Sequence, residues 1–309
     1  MDLMKSFGRI AASAALALAA LAPVAPSAAP QAGAKGTRVD IELVLAVDVS
    51  QSMDFEEHEL QRNGYVEAFR HDDVIRAITG GPEGKIAITY MEWAGAYEPI
   101  QVIPWTLIDS KAAALAFSDR LSKEPPYSEQ RTSISTALLR AAELVQTNQF
   151  VAHRQVIDVS GDGANNTGMP VEQARDMVLK QGIQINGLPI ILNKPKEFYD
   201  IDHLDRYYKD CVIGGPGSFI SPVYSLNMLS ATIRKKLVME IARLELDNGA
   251  APVQFADEQV EERSEPDGRK IMRVQLKLPT TKTDCMIGEK VMGGRFGGYY
   301  DDGQGRRRR

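Results

Sequence analysis

The chain is poor in the residues that hold small or metal-clustered proteins together. Its 309 residues include two cysteines and four histidines, too few for a disulfide scaffold or a zinc cluster of Cys and His ligands. A basic excess is lacking as well. Lys and Arg number 36 against 41 Asp and Glu, a net charge of −5, so no face is available to neutralise a run of phosphates, and nucleic acid is not an expected partner. The one basic cluster, Arg306 to Arg309, follows a Gly-rich stretch from Gly293 to Gly305 and reads as a solvated, disordered end. No apolar run reaches the ~20 residues that span a bilayer. A fixed-period repeat is also missing, as are a Gly-x-Ser-x-Gly elbow and a Walker-type phosphate loop. The remaining composition, 44% hydrophobic and 25% charged, is that of an ordinary globular protein long enough for one large domain.

The longest apolar run, Ile10 to Val24, is preceded by Lys5 and Arg9 and followed by Ser27, Ala28 and Ala29. Basic start, short apolar middle and small-residue end describe a secretory signal peptide over 1–29, with a retained anchor as the alternative. The expectation is therefore an exported chain, periplasmic or extracellular, with no transmembrane segment once processed. Export places Cys211 and Cys285 where a disulfide persists. The sequence leaves open a Cys211 to Cys285 bridge, tying the C-terminal region to the main domain, or two free thiols.

Asp40 to Val47 is a nearly continuous apolar run, the mark of a strand buried on both faces. Helical periodicity follows from Phe55 to Ile78, read as one long helix stopped by Gly80-Gly81-Pro82. Lys85 to Trp93 and Ile100 to Leu107 read as adjacent antiparallel strands, one at a sheet edge. Next come helices over Ser110 to Leu121 and Ser133 to Val145, a strand Arg154 to Val159, a helix Val171 to Gln181 and a strand Ile183 to Leu192. Phe219 to Val223 is a candidate last short strand, and Leu226 to Leu246 a closing helix. Repeated strand-then-helix units predict an α/β fold: a doubly wound, mostly parallel central sheet with helices on both faces and one antiparallel edge strand. This main domain is placed at 39–248. The remainder, 249–309, reads as a polar extension with one strand, Ile271 to Leu278, and the Gly/Arg tail.

Chemistry concentrates at Asp48-Val49-Ser50-Gln51-Ser52, where the first strand ends. In an open parallel sheet, ligands sit outside the carboxyl ends of the strands, so a carboxylate and two hydroxyls enter the expected crevice. Hard oxygen donors of this kind suit Mg²⁺, which keeps several waters and takes few protein ligands. Asp48, Ser50 and Ser52 resemble the Asp-x-Ser-x-Ser of the metal-ion-dependent adhesion site in von Willebrand factor A domains. That resemblance implies two further ligands: a threonine in a loop before a middle helix, matched by Thr132 in Arg131-Thr132-Ser133-Ile134-Ser135, and an aspartate before glycine after a later strand, matched by Asp162 in Ser160-Gly161-Asp162-Gly163. It covers about Val39 to Leu246. Taken singly, Asp-x-Ser-x-Ser and Thr132 also serve as helix caps, and Asp162-Gly163 as a turn.

The resemblance implies a binding module without catalytic residues. Asp48, Ser50, Ser52, Thr132 and Asp162 would hold one Mg²⁺, with Mn²⁺ or Ca²⁺ as alternatives, and a Glu or Asp carboxylate of a protein partner would fill the remaining position. Two rivals stand beside it: a hydrolase or phosphoryl-transfer enzyme using the same ion, and a structural subunit whose site is vestigial. The stretch from Tyr207 to Gly217 resembles an uncharacterised exported bacterial branch of the superfamily, from which no function transfers. Glu92 and Trp93 end a strand near the crevice, as shapers of a partner surface or as packing. The four histidines, His58, His71, His153 and His203, read as surface or hinge residues, and Asn165-Asn166-Thr167 as loop chemistry.

Overall fold

The computed structural model describes residues 36–96, 99–125, 128–192, 201–242, 258–264, 270–276 and 283–296. Residues 1–29, read above as a signal peptide, and the Arg306 to Arg309 tail lie outside the described residues. Strand β1 (Thr37–Asp48) is buried from Val39 to its end. Its residues divide between two cores: Ile41, Leu43, Leu45 and Val47 face one, Val44 and Ala46 the other. Alternation across the pleat therefore explains the unbroken apolar run, since both faces of this strand are covered by helices.

After β1 come helices α1 (Phe55–Arg70) and α2 (Asp72–Thr79), then strands β2 (Ile86–Trp93) and β3 (Ile100–Ile108). Helices α3 (Lys111–Leu121) and α4 (Ile134–Thr147) lead to β4 (Phe150–Gly161), α5 (Val171–Leu179) and β5 (Gln184–Pro189). The sheet order is β3-β2-β1-β4-β5. Strand β1 runs parallel to β2 and β4, β4 parallel to β5, and β3 alone is antiparallel, at the edge. The expected doubly wound architecture is thus the observed one. Because the chain winds from β1 toward β2 in one direction and from β4 toward β5 in the other, the switch point lies between β1 and β4. Val47 pairs there with Ser160, so the loops after the two strands leave the sheet side by side.

Local sequence sets the element ends. Asp54 caps α1 through a reciprocal box, accepting from the Glu57 amide at 2.9 Å while Glu57 Oε2 accepts from the Asp54 amide at 2.8 Å. The single long helix expected over Phe55 to Ile78 is two helices instead. His71 ends α1 in an extended conformation and caps α2, its Nδ1 accepting from the Asp73 amide. Asp72 and Asp73 explain the break, since acidic residues favour a helix's first turn over its interior.

Beyond β5, Phe219 to Val223 adds a partial parallel ladder. Gly187 donates to the Phe219 carbonyl at 3.1 Å, and Val223 to that of Pro189 at 2.9 Å. A short helix α6 (Leu204–Tyr207) continues into one π-helical turn, Tyr208–Val212, and α7 (Leu226–Ile241) packs against α1. The C-terminal region differs from the single-strand expectation: β6 (Glu258–Ser264) and β7 (Lys270–Leu276) form an antiparallel hairpin, and a helix α8 (Ile287–Phe296) follows. Cys211 and Cys285 are bonded, with Cα atoms 5.5 Å apart across a separation of 74 residues. Among the described residues, no helix is long and apolar enough to cross a membrane.

Candidate metal centre

Three loops at the carboxyl end of the sheet meet at the switch point. The first follows β1 and is pinned to the second by paired backbone bonds: Gln51 donates to the Glu129 carbonyl and Glu129 to that of Val49, both at 3.0 Å. The second ends at Ser133, which caps α4, and Thr132 precedes that cap. The third follows β4 and is tied to the second through Asn166, whose amide donates to the Thr132 carbonyl at 2.9 Å and whose Oδ1 accepts from the Thr132 amide at 3.0 Å.

The five residues singled out by motif all sit on these loops. Asp48 is fully buried, Ser50 and Thr132 nearly so, and Ser52 and Asp162 are half-buried at the mouth. The Ser50 and Ser52 hydroxyls are 2.9 Å apart, and Ser52 Oγ donates to Asp162 Oδ1 at 2.6 Å. Asp48 Oδ1 accepts from the Ser50 amide at 2.8 Å, whereas its Oδ2 is buried with no hydrogen-bond partner. Ser52, Thr132 and Asp162 line a shallow cleft above this cluster.

A buried carboxylate oxygen without a donor is costly. Burial, reinforced by the charge of nearby Asp162, pushes the Asp48 carboxyl well above the usual range, against the pull of the Ser50 and Asp162 donors. The cluster is thus an acidic pair in a ring of hydroxyls, a donor set that fits a hard divalent cation. Among the described residues no three His, Cys, Asp or Glu side chains gather as a metal cluster. Hydroxyls carry much of this set.

Supports appear that motif reading missed. Tyr208, on the π-helical turn, is fully buried and its hydroxyl has no partner. A Cβ at Gly161 would lie 2.6 Å from Asp48 Oδ2 and 2.8 Å from the Tyr208 hydroxyl, so glycine leaves the space into which both orphan oxygens point. Burial first, then the charges of Asp48 and Asp162, push the Tyr208 phenol well above its usual range. Its neighbour Tyr207 accepts from the Asn165 amide at 3.2 Å and donates to the Cys285 carbonyl at 3.5 Å. The Tyr-Tyr pair ahead of Cys211 was the available signal, but nothing in sequence spacing aims it at Asp48.

Other expectations are revised. For Glu92 and Trp93 the structure gives the packing alternative. Both are buried: Glu92 pairs with Arg62, and the Trp93 carbonyl accepts from Val49 at 2.9 Å, bracing the first loop. His58 is a buried residue of α1 rather than a surface one, and burial lowers its pKa. His71 is the hinge between α1 and α2. Asn165 is buried, with its amide group engaged by Ser135, Met169 and Glu289, as loop chemistry requires.

Comparison with known proteins bears on the frame around this site. Among solved structures, the pilus adhesin SpaC from Lactobacillus rhamnosus GG aligns with a TM-score of 0.50 at 11% identity, over 66% of this chain and 31% of its own. Proximal thread matrix protein 1 from the mussel byssus, solved with a zinc-occupied MIDAS motif, aligns at 0.48 and 15% identity, over 67% and 49%. A von Willebrand factor type A protein from Catenulispora acidiphila aligns at 0.43 and 16%, over 66% and 43%. The chain spans about half or less of the length of each of these relatives, and the likeness is one of fold. Curated proteins give no sequence match. The family model described as Protein of unknown function (DUF1194) matches residues 38–245, more than half of the chain. The chain belongs to that family, and its fold is von Willebrand factor A-like.

Proposed function

We propose that this protein is an exported binding module in which Asp48, Ser50, Ser52, Thr132 and Asp162 hold one divalent cation, Mg²⁺ first and Mn²⁺ or Ca²⁺ as alternatives. The observation that carries the reading is the unpartnered Asp48 Oδ2, buried beside a second carboxylate and the Ser50 and Ser52 hydroxyls. The bound ion would supply a Lewis-acidic centre at the cleft that its protein donors do not over-neutralise, because three of the five are neutral hydroxyls and the two carboxylates only match its charge. Ser52, Thr132 and Asp162 then present that centre to a Glu or Asp carboxylate of a protein partner. Asp48, held by the Ser50 amide, orients the buried side of the set.

Binding is preferred to turnover because the lining groups able to act as base or nucleophile, Ser52, Thr132 and Asp162, are the ones assigned here to the ion, and the other described lining residues, Asn, Gly, Ala, Val and Met, supply neither role. Export is supported by the signal-like 1–29 segment and by a bonded Cys211–Cys285 pair, which persists in oxidising compartments. The domain division at 39–248, with an extension behind it, belongs to the same proposal.

The test is calorimetric titration of Mg²⁺ and Mn²⁺ into metal-stripped protein, beside Asp48→Ala and Thr132→Ala. One saturable site, lost in both variants, is the expected result. Absence of binding by the unaltered protein would overturn the metal reading and favour a structural role.

A further inference from the structure

The geometry points to α8 as one wall of the ligand cleft, with Val291 and Met292 selecting a partner whose acidic residue is flanked by an apolar side chain. This rests on the metal-dependent reading above and adds the class of partner to it.

The cleft that Ser52, Thr132 and Asp162 line is also lined by Gly288, Val291 and Met292 of α8. Three restraints fix the helix there. The Cys211–Cys285 bond anchors its start to the turn that carries Tyr208. Asn165 Nδ2 donates to Glu289 Oε1 at 2.7 Å. At Gly288 a Cβ would come within 2.1 Å of the Asn165 carbonyl oxygen, so backbone meets backbone and only glycine permits the approach. Asn165 Oδ1 also accepts from the Ser135 amide at 3.0 Å. The loop that carries Asp162 is thereby clamped between α4 and α8.

The burial pattern shows what this wall offers. Cys285 and Gly288 are buried, whereas Val291 and Met292 stay half-buried at the cleft. Held here, they set an apolar surface beside the carboxylates, and covering it removes apolar area from water in addition to any carboxylate contact. Methionine is unbranched and polarisable and adapts to side chains of several shapes. A bare acidic group leaves this wall uncovered; Asp or Glu next to Leu, Ile, Met or Phe covers it.

The test uses the full, disulfide-bonded chain and a displayed library of random heptapeptides with a fixed central Asp, captured in Mg²⁺ and released by EDTA. Enrichment of apolar residues beside the Asp is expected. In the Val291→Ser/Met292→Gln double variant that enrichment disappears and the best clone binds about tenfold more weakly, while Mg²⁺ titration and the unfolding midpoint stay unchanged. EDTA-released clones without apolar bias, or a double variant that keeps the bias, overturn the inference alone. Mg²⁺ binding with no EDTA-released clone overturns it too. A chain that binds no Mg²⁺ overturns the metal reading as well.

Discussion

At Asp158, strand β4 places a carboxylate against α7; just past its end, at Asp162, it delivers another into the loop cluster. In the first cluster Lys236 Nζ lies 2.6 Å from Asp158 Oδ1, angled as an ion pair rather than a hydrogen bond, and also pairs with Glu240. Asn186 donates to Glu240 at 3.0 Å, and all four residues are buried. In the second, Asp48 faces Asp162 with hydroxyls and amides around it, and among the described residues no basic side chain lines the cleft. One acidic pair has its cation encoded in the sequence; for the other, the proposed function supplies one from solution. Their difference separates a structural tie from a binding site.

The largest effect expected is at the first cluster. Lys236→Met leaves Asp158 and Glu240 buried without a counter-charge and should destabilise the fold by about 3–5 kcal/mol in urea unfolding. A loss below about 1 kcal/mol would show that the two carboxylates already share a proton.

Acidity sharpens the same contrast. Burial and the charge of Asp158 raise Glu240 to about 7, with Lys236 and Asn186 pulling it down. A carboxyl raised in the folded state contributes most below its unfolded value near 4.5 and loses that contribution as pH rises through 7. Stability should therefore fall by about 2 kcal/mol more between pH 5 and 8 in the unaltered protein than in Glu240→Gln. Parallel curves for the two proteins would remove Glu240 as the titrating group.

At the second cluster, removing a charge should have the opposite sign. Asp48→Asn keeps an acceptor for the Ser50 amide and relieves the orphan carboxylate oxygen, so in EDTA it should stabilise by about 1 kcal/mol while abolishing Mg²⁺ binding. Destabilisation in EDTA would mean that Asp48 is satisfied without an ion. The smallest effect is at Tyr208→Phe, which removes the hydroxyl pointing at the Gly161 gap. Mg²⁺ affinity should weaken by about tenfold, within the range for groups that orient a metal ligand without touching the ion, with unfolding changed by less than about 1 kcal/mol.

Legibility in the sequence followed the range of the interaction. The Asp48-x-Ser50-x-Ser52 run, Thr132 ahead of an α4 cap, and Asp162 after β4 are local patterns, and the structure brings them onto adjoining loops. Lys236 was hidden because a lysine within an apolar helical stripe looks like any solvent-facing position until α7 is laid on β4. The break at His71 escaped periodicity because the apolar pattern runs through it, although Asp72-Asp73 marked a new first turn.

By itself the sequence determined the parallel sheet, through runs such as Asp40 to Val47 that are apolar on both faces, and the oxygen-rich loop after β1, through residue types that bind hard cations or cap helices. Tertiary structure alone decided that Tyr208 points toward Asp48 across the Gly161 gap, that Cys211 meets Cys285, and that α8 reaches the cleft. The reason is physical: backbone periodicity and donor chemistry act over a few residues, whereas these contacts join segments distant in sequence that only the winding of the sheet brings together.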